Sequence, residues 1–194
     1  MSQLKLTADS GGGTVAIKAP ASTTGNAAFE LTVPGTGNRG LGKILQIVEG
    51  TLTAGFTTTS TSMVDLGLSA SITPSATSSK ILVLLSLGSF INVTQHKRAF
   101  ANILRGSTVL FVGDAGTGEE VTIARNLRNT QDSYVMDPVS RSFLDSPSTT
   151  SATTYKVQVS VASDGGTLYV NRAETLDANA GNTASSLILM EVAA

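Results

Sequence analysis

The sequence predicts an all-β protein: an antiparallel β-sandwich, jelly-roll-like, with a short extended arm at its N-terminus. Three observations carry this. Charged residues make up only 14% of the 194-residue chain, against roughly 25% in an ordinary soluble domain, and Ser and Thr take their place. Apolar residues reach 41%, enough for a sizeable core, since a domain of about 150 residues hides roughly 70% of its unfolded surface. About eight runs rich in β-branched and aliphatic residues alternate with Gly, Asp, Ser and Pro turns, the pattern of a sandwich.

Residues 1–40 read as the arm and residues 41–194 as the sandwich domain. The arm holds two alternating runs, Thr14-Val15-Ala16-Ile17-Lys18 and Phe29-Glu30-Leu31-Thr32-Val33, each with one apolar face. Gly11-Gly12-Gly13 precedes the first and Pro34-Gly35 ends the second. A segment of about 40 residues seldom folds alone without a disulfide, a metal or oligomerisation. The arm is therefore either flexible, or its stripes are buried against copies of itself or another protein.

A globular pattern begins at Lys43. Ile44 to Val48 reads as a strand, Met63 to Ile72 as one or two more ended by Pro74, and Ile81 to Val93 as a long buried strand. That last run is too short to span a bilayer as a helix and contains Ser86, Gly88, Ser89 and Asn92. Two hairpins follow from turn chemistry. Gly106-Ser107 fits a type II′ turn and pairs Leu104 with Val109 and Ile103 with Leu110. Asp164-Gly165 suggests a type I′ turn that sets Val161 opposite Leu168 and Val159 opposite Val170. Leu187 to Val192 forms a last strand tucked into the sheet. Residues 119–141 hold either a short helix or a long crossover loop.

Candidate chemistry is sparse. The net charge of −1 gives no general attraction to nucleic acid or anionic membranes. Cysteine is absent, so disulfides and thiolate metal sites are excluded. The single histidine, His96, sits in Thr94-Gln95-His96-Lys97-Arg98 and reads as part of a solvated turn. No Gly-x-Ser-x-Gly elbow is present. Gly113-Asp114-Ala115-Gly116-Thr117-Gly118-Glu119-Glu120 resembles an oxygen-rich cation loop, but it lacks EF-hand spacing and phosphate-loop residues, so it reads as a plain loop. Asp164 needs only a turn role. Arg125, Arg128 and Arg141 are interspersed with Asp132, Asp137 and Asp145 and have no aromatic ladder beside them. Asn92-Val93-Thr94 matches a glycosylation sequon but lacks a secretion signal. Tyr134, Tyr155 and Tyr169 read as core or rim residues rather than a sugar platform. A glycosidase-like pair would have to come from Asp65, Asp114, Asp132 and Asp145 through folding. No catalytic, cofactor or metal-binding residue is expected.

Several phrases carry a resemblance. They are Gly11-Gly12-Gly13-Thr14-Val15-Ala16-Ile17-Lys18-Ala19-Pro20-Ala21-Ser22-Thr23, Leu31-Thr32-Val33-Pro34-Gly35-Thr36, Thr57 to Ser62, Ile72-Thr73-Pro74-Ser75, Ser79-Lys80-Ile81-Leu82-Val83, Leu144-Asp145-Ser146-Pro147 and Thr149 to Tyr155. Their order and number make the chain similar to tail-fibre-like virion structural proteins of marine phages, especially cyanophages. The resemblance implies a virion component, commonly trimeric, with adhesive or particle-decorating roles and no catalytic residues. The chain is short for a fibre, so a short tail appendage or a capsid-surface protein fits its length.

The resulting expectation is a non-enzymatic bacteriophage structural protein assembling as a homotrimer, with part of the Ile81–Leu87 run at the interface. The alternatives are a capsid decoration (cement) protein and a tail adhesin for a host receptor or glycan. Expected partners are other copies of the chain and other capsid or tail proteins, with no nucleic acid and no membrane insertion. Met1-Ser2-Gln3-Leu4 shows no signal-peptide pattern, which predicts synthesis in the host cytoplasm and a final place in the virion.

Overall fold

A computed structural model describes residues 3–7, 14–18, 43–92, 94, 97–114, 121–126, 134 and 136–194. The chain forms two compact units, Met1–Asn38 and Arg39–Ala194. In the first, β1 (Gln3–Thr7) pairs antiparallel with β2 (Thr14–Lys18), from Gln3 opposite Lys18 to Thr7 opposite Thr14. The first alternating stripe is thus a strand. The second, Phe29–Val33, lies outside the described residues.

The second unit is all-β, with no helix among its described residues. Its strands are β3 (Ile44–Leu52), β4 (Phe56–Thr58), β5 (Val64–Ile72), β6 (Lys80–Leu87), β7 (Phe90–Asn92), β8 (Arg98–Arg105), β9 (Thr108–Leu110), β10 (Ile123–Asn126), β11 (Val139–Asp145), β12 (Thr153–Val161), β13 (Leu168–Val170) and β14 (Ser185–Val192). One main sheet runs β11-β6-β14-β3, the other β10-β8-β12-β5 with β9 also on β8, and β4-β13-β7 form a small third sheet. Leaving β9 aside and numbering the eight main-sheet strands in chain order, the sheets read 1-8-3-6 and 2-7-4-5. That is the strand order of a jelly roll, two Greek keys folded into a sandwich.

Period-two alternation builds the core between the sheets. Ile81, Val83, Leu85 and Leu87 of β6 face Leu66, Leu68 and Ile72 of β5, Ile103 of β8, and Val157 and Val159 of β12 in one buried cluster, joined by Phe90, Leu168 and Val170 of the third sheet. Each such side chain contributes roughly 1.5–3 kcal/mol by leaving water. The C-terminal strand β14 lies at the centre of its sheet, between β3 and β6.

The β8–β9 hairpin has the expected register, Leu104 opposite Val109 and Ile103 opposite Leu110. Gly106 has φ +58° while Ser107 is not left-handed, as a type II′ turn requires. The second expected hairpin is overturned. β12 pairs with β5 on one side and β8 on the other, while β13 pairs with β4 and β7. Both edges of β12 are filled, so no place remains for Leu168–Val170. The turn itself is closed by Gly165 N donating to Ala162 O at 2.8 Å, and Asp164 does not take the left-handed conformation of a type I′ turn. The run from Ile81 is likewise divided: β6 ends at Leu87 and β7 begins at Phe90 in a different sheet. Within residues 119–141, the described part contains strand β10 and the start of β11 rather than a helix.

Candidate interaction surface

The β5–β12 half of one main sheet and the outer face of the other differ in character, while on β8 the outward Phe100 and Leu104 are buried. On β5 and β12, the outward positions are Ser71 with Thr154, Ser69 with Lys156, and Asp65 with Gln158. Asp65 accepts from Gln158 Nε2 at 2.7 Å and from Lys156 Nζ at 3.1 Å, and Ser71 and Thr154 share a hydroxyl bond of 2.7 Å. These bonds, with Gln158 first, hold the Asp65 carboxyl below its ordinary range. This is a solvated face.

The outer face of β11-β6-β14-β3 is built differently, and its registers sort it into rows. Leu144, Leu82, Met190 and Ile47 form one row across all four strands. Ser142, Leu84, Ile188 and Glu49 form the next, and Ser140, Ser86, Ser186 and Thr51 the third. Beyond the first row, Lys80, Val192 and Ile44 close the face. One half is therefore aliphatic and the other half hydroxyl-bearing. A shallow depression of about 560 Å³ runs over Leu84, Ser86, Ser140, Ser142, Ser186 and Ile188. Ile47, Leu144 and Ile44 are 59%, 56% and 54% exposed.

The sequence cause is visible in β6. Ile81-Leu82-Val83-Leu84-Leu85 is apolar at every position, yet the sandwich core uses only Ile81, Val83 and Leu85. Strands apolar on both faces normally carry a packed layer on each side. β14 repeats the pattern, with Leu187 and Leu189 inside and Ile188 and Met190 outside. On the opposite, core-facing side of β11, Phe143 packs against the core, and Phe111, 57% exposed, stacks on it at the edge with centroids 4.9 Å apart and planes 4° apart. Phe111 has φ +52°, a conformation that bulky residues rarely adopt.

Two polar clusters hold this platform in shape. Asp145, at the end of β11, accepts from Tyr155 Oη at 2.6 Å and from Arg105 Nη1 at 2.7 and 2.6 Å. Tyr155 is fully buried; burial first, then its bond to Asp145, pushes its phenol upward from the ordinary value. Glu191, fully buried on β14, accepts from Gln46 Nε2 at 2.6 Å and from Ser75 N and Oγ at 2.7 and 2.6 Å. Burial alone would raise its carboxyl. The bonds from Gln46, Ser75 and Ser79 outweigh burial and hold it at about 2. Gln46 also donates to Thr73 O at 2.6 Å, so the β5–β6 loop is tied to the sheet.

Among the described residues, those singled out in the sequence do not gather into a site. His96, Arg128, Asp132 and residues 115–120 lie outside the described residues, and of Arg125 only its place on β10 is described. Gly113 and Asp114 are exposed. Asp164 is exposed and lies 3.8 Å from Lys97 Nζ. Arg141 is exposed on β11 and donates to Ser140 O at 2.9 Å. Asn92 of the sequon is buried, with Nδ2 on Arg98 O at 3.2 Å and Gly165 O at 3.3 Å; it is a structural bracket between two turns. Of the tyrosines, Tyr155 is core, Tyr169 lies under Arg172 at 5.1 Å, and Tyr134 donates to Asp177 at 2.6 Å. Asp65 and Asp145 are each held by the partners described above. Among the described residues no three His, Cys, Asp or Glu side chains converge as a metal site.

No family model matches the chain, and no curated protein matches it in sequence.

Proposed function

We propose that this chain is a non-enzymatic structural protein of a bacteriophage particle that assembles as a homotrimer through the outer face of sheet β11-β6-β14-β3. One observation carries the assembly reading. β6 and β14 are apolar on both faces, while the sandwich core takes up only one of them. A contiguous apolar patch of this kind, half-buried at Leu82, Leu84, Ile188 and Met190 and exposed at Ile44, Ile47 and Leu144, marks an association surface, and obligate interfaces have the composition of a core cut in half. The polar β5–β12 face is then the side turned to solvent.

The placement in a phage particle is supported by the phrases quoted above, from Gly11–Thr23 to Thr149–Tyr155, and by the low charge. A short tail appendage is the first reading and a capsid decoration protein the second; a β-sandwich suits both. Antibody labelling of intact particles of the encoding phage, viewed by electron microscopy, tests this. Label on the tail or on the capsid face selects between the two. Unlabelled particles, with the epitope shown to be accessible, contradict the virion assignment.

A further inference from the structure

We propose that the open side of the sandwich, where β11 faces the β9–β10 edge of the opposite sheet, binds an acidic sugar: a pyranose ring stacks on Phe111 and its carboxylate or sulfate meets Arg141. This site is separate from the outer face that joins copies and does not depend on their joining.

The registers bring its parts together. Val139, Arg141, Phe143 and Asp145 of β11 share the inward parity of Leu87, Leu85, Val83 and Ile81 beside them. Across the gap, β9 and β10 follow one another along one side of β8, with Leu110 opposite Ile103 and Ile123 opposite Ala101. Thr122 Oγ1 ties them by donating to Leu110 O at 2.7 Å. Three features then lie in order along the edge. Arg105 holds Asp145, Phe111 stacks on Phe143, and Arg141 lines a cleft of about 190 Å³ with Ile123, Ala124 and Val139.

Phe111 is the platform. One face of its ring rests on Phe143, yet the residue is 57% exposed, so the other face is open to solvent. Its backbone is left-handed, with φ +52°, a strained state for a bulky residue. So exposed a ring gains little from burial to offset that strain, and uncompensated strain of this kind collects at binding sites. The open π face is electronegative and takes the C–H face of a pyranose, whose hydrogens are slightly positive.

Arg141 supplies the charge. It lies two residues from Phe143 on the same side of β11, about 7 Å along the strand. Among the described residues it bonds its neighbour's carbonyl, Ser140 O, at 2.9 Å and pairs with no carboxylate. Its remaining N–H groups can fork onto a carboxylate or sulfate. Asp145, on the other side of the ring, is already neutralised by Arg105. The cleft beside Arg141 has a mainly polar lining, which suits sugar hydroxyls and not an apolar peptide side chain.

Binding of the full chain to an array of uronate-bearing, sulfated and uncharged oligosaccharides tests this, with an oligoglutamate as the control for charge alone. Acidic oligosaccharides should bind about tenfold or more tighter than uncharged ones, and the uronate and sulfate arms identify the anion. Phe111→Asn and Arg141→Gln should each weaken that binding about tenfold or more. Asn tolerates the left-handed backbone, so Phe111→Asn should lose the sugar while unfolding within a few degrees of the wild type. If it unfolds far earlier, Arg141→Gln decides alone. An array on which no acidic oligosaccharide binds overturns the proposal. Equal binding of the oligoglutamate, or unchanged affinity in either folded variant, overturns it as well.

Discussion

The phenol of Tyr155 on β12 donates to the carboxylate of Asp145 on β11 at 2.6 Å, joining the two main sheets from inside. Arg105 of β8 completes the cluster from the second sheet. The contact anchors the end of the edge strand that carries Leu144 and Phe143. Tyr155→Phe should lower stability by roughly 1–2 kcal/mol, because Asp145 keeps its Arg105 bonds. Asp145→Ala should cost more, about 2–4 kcal/mol, by stranding both the phenol and the guanidinium. Urea unfolding at one fixed protein concentration checks both, since an oligomer's stability depends on concentration.

The same cluster sets the alkaline limit. Folding raises the Tyr155 phenol above its ordinary value of 10.0. Above that value the unfolded chain loses this proton and the folded chain keeps it, so stability falls as pH rises. The urea midpoint should decline beyond pH 10, and the decline should be shallower in Tyr155→Phe.

Glu191 controls the acid side with the opposite sign. Its folded value of about 2 lies below the ordinary 4.5. Stability from this group is complete above pH 4.5 and is lost as pH falls toward 2, because the unfolded chain takes up the proton first. Glu191→Gln should lower stability at neutral pH by roughly 2–3 kcal/mol and flatten the acid limb between those two values. Unfolding midpoints measured across that range test this directly.

Gly166 has φ +106°, and a Cβ placed there would collide with the Asn92 carboxamide. Gly166→Ala should therefore destabilise by about 2 kcal/mol or more through both strain and clash. Asp65→Asn, on the solvated face, should change stability by less than about 1 kcal/mol and leave assembly untouched. Thermal unfolding of the two variants side by side separates them.

Local chemistry made some of this fold legible and long-range pairing hid the rest. Gly106-Ser107 specified its hairpin because the two strands are bound by the turn itself. Asp164-Gly165 misled because β12 already had β5 and β8 as neighbours, which no local signal reports. β4, β7 and β13 are three residues each, too short to show a period. β10 is four residues long, again too short to show a period. The apolar run of β6 did announce a surface in need of cover, but its partners in the same rows, Leu144, Met190 and Ile47, depend on registers set by three separate strands. Glu191 had a readable signal: it shares parity with Leu187 and Leu189 and so had to point inward.

Sedimentation equilibrium of the purified chain at micromolar concentration, beside Leu84→Lys and Ile188→Lys, decides whether the apolar face joins copies. The expected wild-type mass is three times the 19.8 kDa of one chain, and the folded variants should sediment as single chains. A wild-type protein that stays at the mass of one chain, or variants that assemble as the wild type does, would contradict assembly through this face.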